Sequence, residues 1–543
     1  HARVHDRAGR YSHPGLVAQP LRVLAQKNGV RRSIGDIAQR YVRIAVERAV
    51  GDQAHIAAGG DPYYDLRDPR EYPKVTAACY WPLRTSMAGF YWPRVGDVCG
   101  PDEFFNAPVA AALGARFLVY HYRPKLSIAE ETERALLFAK RCEEHGLSFV
   151  LNTEIGNWAK ELKSPDGWDW VSREDGGHRF HFPPEVLQAF ASSEAFAGVL
   201  YDEAEHAQMF RNLSIAMDND GFDVPFFPDK EELTVREASE HIIERAKELA
   251  DENKGAGAPR VMSEYVWPSL MHGFAKAGWD IACKLQKENW SNIWAACAMG
   301  AARQYGRELW ACVDNWFGVT YPGHSPAEMQ SNLLFAYRTG FDRAYVENTG
   351  GNGNFYTMKP DGSFTFTEYG ERYKEFAGLA DGGDRDYSHR DFEPDIAVIR
   401  FDDTFWGQGK NMPWKDMLFG IPTLQSTPVS REWLKAFHTI TRGAVNEQSL
   451  SWGRWDVYIK TPHRSFAPAK GPVVYDETVR YEDLKTASLL FLCGEYISEE
   501  TLADVRRLVR EGVTAVTGVR FAPAETAAGY AGGTLAVDDG NGR

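Results

Sequence analysis

The 543-residue chain has no CxxC pair, and its seven cysteines, an odd number, are scattered mostly inside apolar segments, at Cys79, Cys283, Cys297, Cys312 and Cys493. That distribution argues against a disulfide framework or a cysteine zinc cluster and for buried, reduced thiols. No apolar run approaches the roughly 20 residues needed to cross a bilayer. The densest, Ala487-Ser-Leu-Leu-Phe-Leu-Cys493, is the length of a strand, so a soluble protein with no membrane contact is expected. Basic residues are outnumbered, 61 Lys and Arg against 75 Asp and Glu. The resulting formal charge of -14, with no cluster of Lys and Arg among aromatics, speaks against a nucleic acid partner. No GxGxxG or P-loop motif stands at a strand-to-helix turn, and neither HxH nor HExxH spacing occurs, so no cofactor and no metal are expected. The chain begins at His1 rather than Met, which leaves the compartment open.

What is present is ordinary globular composition, 44% hydrophobic and 25% charged, in a chain long enough for one large domain and a second. Residues 1–70 read as an N-terminal helical extension, with a helical stretch from Ile34 to Ala49. From Thr76 onward, strand-like runs alternate with amphipathic helical stretches, the pattern of parallel βα units. Eight strands are expected, over 76–80, 116–122, 148–153, 198–202, 260–264, 279–285, 309–314 and 343–347. Ser127-Ile-Ala-Glu130 and Thr234-Val-Arg-Glu237 read as capping boxes, and Ser325-Pro-Ala-Glu328 combines one with Pro at the first helical position. A last helix is expected from Thr367 to about Leu379. The sixth strand is ambiguous, because Trp279-Asp-Ile-Ala-Cys-Lys-Leu285 also suits the start of a helix. Together these make a (β/α)8 TIM barrel over 71–385. A second strand, helix, strand pattern over 390–543 implies a doubly wound α/β domain.

Four of the strands run straight into acid: Gly198-Val-Leu-Tyr-Asp-Glu203, Arg260-Val-Met-Ser-Glu264, Glu308-Leu-Trp-Ala-Cys-Val-Asp314 and Asp342-Arg-Ala-Tyr-Val-Glu347. Carboxylates at the C-terminal ends of barrel strands form an active-site floor. A pair of them can hydrolyse a glycosidic bond, one donating a proton to the leaving oxygen, the other attacking carbon or activating water. Glu203 is read as the general acid/base, with Asp314 or Glu264 as its partner. The competing reading gives the chemistry to Asp202 and a capping role to Glu203, since alternating side chains cannot both point inward until the chain turns. Glu347 is read as a sugar-hydroxyl ligand or as the nucleophile. Around them Asp202, His121, Asn152, Glu154 and Lys284 are candidate hydroxyl partners. Trp81, Trp267 and Trp316, just past strand ends, suit stacking on sugar rings. A metal-dependent barrel hydrolase or aldolase around Asp202, Glu203, Glu205 and His206 is one alternative. A noncatalytic sugar-binding barrel is another.

The order of parts resembles clan A glycoside hydrolases of the β-galactosidase kind, especially family 42, whose catalytic barrel precedes an amidotransferase-like domain. The C-terminal Tyr481-Glu-Asp-Leu-Lys-Thr-Ala-Ser-Leu-Leu-Phe-Leu, followed by the helical Ile497 to Gly512, looks much like that accessory domain. The resemblance implies a carbohydrate substrate, a homo-oligomer built through the second domain, an acid/base at the end of strand four and a nucleophile at the end of strand seven. Those positions are Glu203, with Asp202 where the clan has Asn, and Asp314, where the clan has Glu. The family's cysteine zinc cluster has no counterpart here.

Overall fold

The computed structural model describes residues 106–122, 127–154, 160–164, 167–170, 181–209, 233–285, 292–314, 325–347, 355–359, 361, 363–382, 385–408, 416–440 and 472–524. The expected N-terminal extension, the expected first strand over 76–80, Trp81 and Trp316 lie outside them. In chain order the first strands are β1 (Phe117–His121), β2 (Ser148–Glu154), the antiparallel pair β3 (Lys160–Ser164) and β4 (Gly167–Trp170), β5 (Phe196–Asp202), β6 (Val261–Tyr265), β7 (Asp280–Lys284), β8 (Leu309–Asp314) and β9 (Arg343–Glu347). Seven of these pair in parallel in the order β1-β2-β5-β6-β7-β8-β9. They are the second to eighth of the expected barrel strands. The ambiguous sixth is a strand, β7, because it pairs on both sides, Glu264 with Ala282 and Ala282 with Trp310.

Helices cover the outside of this sheet, and their starts follow local chemistry. Ser127 and Thr234 close full capping boxes with Glu130 and Glu237. Ser325 accepts the Glu328 N–H ahead of Pro326. Thr367 caps the helix Glu368–Asp381. Each such cap satisfies donors that the first helical turn leaves over. No described helix is long and apolar enough to cross a membrane.

The sheet curls on itself, so that side chains from its two edge strands meet inside. Phe117 on β1 packs against Trp310 on β8 with ring centroids 5.0 Å apart and against Tyr345 on β9 at 6.3 Å. Alternate residues of all seven strands form one inner cluster: Phe117, Val119, Val150, Leu200, Met262, Ala282, Trp310, Cys312 and Tyr345. The residues between them, such as Tyr201 and Ile281, join the larger core under the helices. This two-sided burial is the packing of a (β/α)8 barrel. Gly198 makes one of the close approaches possible, since a Cβ there would meet the backbone oxygen of Arg260 at 2.7 Å.

Two further antiparallel pairs, β10 (Tyr356–Met358) with β11 (Phe364–Phe366) and β13 (Met417–Leu418) with β14 (Ile421–Gln425), flank a second sheet. Its strands β12 (Ile396–Arg400), β15 (Val473–Asp476), β16 (Leu489–Cys493) and β17 (Thr514–Thr517) are parallel in the order β15-β12-β16-β17. The first strand lies inside the sheet with the second at its edge, the order expected of a doubly wound unit. The helix Asn292–Tyr305 lies so close to β15 that a Cβ on Gly300 would sit 1.6 Å from the Val474 oxygen. His272 Nε2 donates to that same oxygen at 2.9 Å.

Candidate active site

Strand parity decides which carboxylates face the barrel interior. On β6, β7, β8 and β9 the interior residues Met262, Ala282, Cys312 and Tyr345 are each followed two residues later by Glu264, Lys284, Asp314 and Glu347. Val150 and Leu200 are followed in the same way by Asn152 and Asp202. A period of two thus carries the apolar filling straight into a polar layer at the C-terminal end.

Lys284 is the hub of that layer. Its Nζ lies 2.6 Å from Glu264 Oε1, 2.8 Å from Glu347 Oε2, 3.2 Å from Glu203 Oε1, 3.5 Å from Asp314 Oδ2 and 3.7 Å from Asp202 Oδ1. Burial by itself would lower the lysine pKa, but Glu264, Glu347, Asp202 and Glu203 more than reverse this and hold the ammonium well above its usual value. The surrounding acids thus favour its charged form.

Glu203 breaks parity and still reaches the hub. Its φ of 55° places it in the left-handed region, which costs a non-glycine residue on the order of 1–3 kcal/mol. That turn brings Glu203 back toward Lys284 beside its neighbour Asp202, while its N–H continues the ladder by donating to Glu264 O at 3.0 Å. It is also the most exposed of the five acids, with 14% of its side chain accessible. Asn152 Nδ2 donates to Asp202 Oδ2 at 3.4 Å.

Glu264 is held from two sides, by Lys284 and by the Tyr345 hydroxyl, which donates to Oε2. Burial, opposed by Lys284 and reinforced by Glu347, pushes its pKa up to about 7. Glu205, on the short helix Ala204–Met209, is pushed up to about 8 by burial and then by Glu203. Both values exceed the 4.5 of an exposed glutamate, so the folded chain binds these protons more tightly than the unfolded one. The resulting stabilisation is complete below the unfolded value and is lost as pH rises through about 7 and about 8. Denaturant midpoints are accordingly expected to fall between about pH 5 and about pH 9, and Glu205→Gln should flatten the upper part of that fall. An equal slope in the variant would remove Glu205 from the account.

Glu264, Glu347 and Cys312 offer ligand atoms within 4.8 Å of one another. Their chemistry does not suit a metal ion. The Lys284 ammonium already sits on both carboxylates, and the Cys312 thiol is held well above its usual pKa by burial, then by Glu264 and Glu347.

Of the residues expected from sequence, Glu203, Glu264, Asp314, Glu347, Asp202, Lys284 and Asn152 come together. Lys284, expected as a sugar partner, stands among the acids as their shared counter-ion. Trp267 points elsewhere: its ring is 1% exposed and stacks on Trp406 at 5.4 Å, inside the main core, so it offers no sugar-binding face. His121 and Glu154 end β1 and β2, with side chains outside the described part. Sequence reasoning missed Tyr345 and Cys312, and it read Glu205 only as a candidate metal ligand. The first two were readable from strand parity, two residues before Glu347 and Asp314. Glu205 had no comparable signal, because its partners come from another strand.

No protein-family model matches the chain, and no curated protein matches it. Solved structures do. An exo-beta-1,4-mannosidase from Opitutaceae bacterium strain TAV5 shares 12% identity over 77% of this chain and 72% of its own, with a TM-score of 0.42. GH5_18 from Streptomyces cattleya, solved in complex with GlcNAc, shares 12% over 77% of this chain and 93% of its own, with a TM-score of 0.41. An endo-beta-1,4-mannanase from Thermotoga petrophila shares 10% over 54% and 77%, with a TM-score of 0.32. What the chain is similar to is, in each case, a glycoside hydrolase of known structure.

Proposed function

We propose that the chain is a glycoside hydrolase that cleaves O-glycosidic bonds of an oligo- or polysaccharide with retention of configuration, with Glu203 as general acid/base and Asp314 as nucleophile. The observation that carries this reading is the gathering of five strand-end carboxylates on one buried ammonium. Glu203 Oε1 and Asp314 Oδ2 lie 3.2 Å and 3.5 Å from the same nitrogen. Those two oxygens are therefore at most about 7 Å apart, compatible with the ~5–5.5 Å of retaining enzymes and short of most of the ~6.5–9.5 Å inverting range. Asp314 also stands on the seventh strand of the eight-strand count, where the clan A resemblance puts the nucleophile. Glu264 suits a supporting role, because Lys284 and Tyr345 engage both its oxygens and burial favours its neutral form.

An aldolase of the Schiff-base kind is disfavoured, since such a lysine must lose its proton to attack a carbonyl and Lys284 is held protonated. In the proposed arrangement residues 71–385 form the catalytic domain and 1–70 an extension. Residues 390–543 form an amidotransferase-like domain that contributes to a homo-oligomer.

A panel of aryl glycosides tests the activity, and Asp314→Ala tests the nucleophile. The variant is expected to lose hydrolysis and to regain it with added azide, yielding a glycosyl azide of inverted configuration. An active Asp314→Ala without azide would reassign the nucleophile.

A further inference from the structure

Two residues beyond Glu203, Glu205 is fully buried and takes no part in the ring around Lys284. Its Oε1 accepts the N–H groups of Val266 at 2.6 Å and Trp267 at 2.9 Å, the first residues after the strand that carries Glu264. The Trp267 indole stacks on Trp406 with centroids 5.4 Å apart and planes 22° from parallel. Trp294 braces both, packing edge-on against Trp406 at 6.0 Å while its Nε1 donates to Val266 O at 2.6 Å. Trp406 belongs to the carboxyl-terminal α/β unit, six residues past the end of β12. The same unit grips the far end of the Glu205 helix, where Gln208 Nε2 donates to Phe419 O at 2.9 Å. At that contact a Cβ on Gly420 would come within 2.6 Å of the Gln208 oxygen.

We propose that the carboxyl-terminal unit sets the geometry of the acid/base: contacts run from Trp406 through Trp267 and the Val266–Trp267 backbone to Glu205, and so to the left-handed turn that carries Glu203. Glu205 and Trp406 are positioning residues, and neither touches substrate. A glutamate in the left-handed region persists only where its surroundings hold it, and here both ends of the helix that follows it are tied to neighbouring parts of the fold. The catalytic consequence rests on the assignment of Glu203 above; the mechanical linkage does not.

Two measurements on the full chain separate these. The first is amide hydrogen exchange of residues 203–209, which is expected to quicken in Trp406→Ala and in Glu205→Ala while exchange in β1 and β2 stays as in the wild type. Unchanged exchange of 203–209 would overturn the linkage whether or not the protein hydrolyses glycosides. The second is a double-mutant cycle on an aryl glycoside. Glu205→Ala is expected to lower kcat by about 10²-fold and Trp406→Ala by about 10-fold, with KM within about threefold. Because both act through one route, the double variant should be no slower than Glu205→Ala alone, and Trp406→Phe should retain most activity. Effects that multiply, or that fall on KM alone, would overturn the positioning role. Should Trp406→Ala not fold, Trp406→Leu, which also removes the stack on Trp267, takes its place in both measurements with the same expectations. A wild type inactive on every glycoside would remove the functional assignment and leave the exchange experiment to decide the linkage.

Discussion

Glu203→Gln is expected to lower kcat/KM by about 10²- to 10⁴-fold on glycosides with poor leaving groups, the range of general acid catalysis. The loss should shrink sharply on a dinitrophenyl glycoside, whose leaving group departs without a proton, so that hydrolysis of the glycosyl-enzyme becomes limiting. That split follows from geometry. Glu203 is the most exposed acid of the five, while the other acids are more deeply buried around the same ammonium. A group that meets the leaving oxygen has to reach the cleft, and Glu203 does so because the chain turns at φ 55° where a continuing strand would aim it at the helices. Folding should be little affected, since Gln keeps the shape and one acceptor. Equal rates for wild type and variant on both substrates would hand the proton to another residue, with Asp202 next in line at 3.7 Å from Lys284.

Lys284→Met should have the largest effect on stability. The lysine is 1% exposed and is the shared counter-ion of Asp202, Glu203, Glu264, Asp314 and Glu347. Removing one partner from a buried ion pair typically costs about 3–5 kcal/mol, because the remaining charge stays buried without compensation. Here several carboxylates lose the same cation. Burial by itself lowers the Lys284 pKa, yet the surrounding acids raise it above the unfolded value. Its contribution is therefore complete below the unfolded lysine pKa and is lost only as pH rises through the still higher folded one. At neutral pH the whole of it is at stake. The deficit of the variant should narrow as pH falls and the carboxylates take up protons in place of the missing ammonium. Chemical denaturation at neutral and acid pH checks this, and a variant as stable as the wild type at neutral pH would deny Lys284 its role as counter-ion.

The strands were legible because a strand buried on both faces leaves a continuous apolar run, and because acid at its end marks where the run meets the rim. Seven of the eight expected strands are present, and the eighth, 76–80, lies outside the described residues; β7, whose Trp279-Asp-Ile-Ala-Cys-Lys-Leu285 region also suits a helix, is a strand because it pairs on both sides. The short β15, Val-Val-Tyr-Asp, was not read from sequence. Capping was equally local: Ser127, Thr234 and Thr367 start their helices where their sequences place them.

Sequence by itself therefore determined the parallel βα plan, the strand ends and the acids that stand on them, since each depends on residues within one turn or one strand. Tertiary structure decided what those acids do to one another. Lys284 looks like one more polar residue at a strand end until curling of the sheet brings five carboxylates around it. Trp267 reads as a rim aromatic until Trp406, 139 positions later, covers its face. Burial and charge pairing depend on which distant segments converge, and no local pattern encodes that.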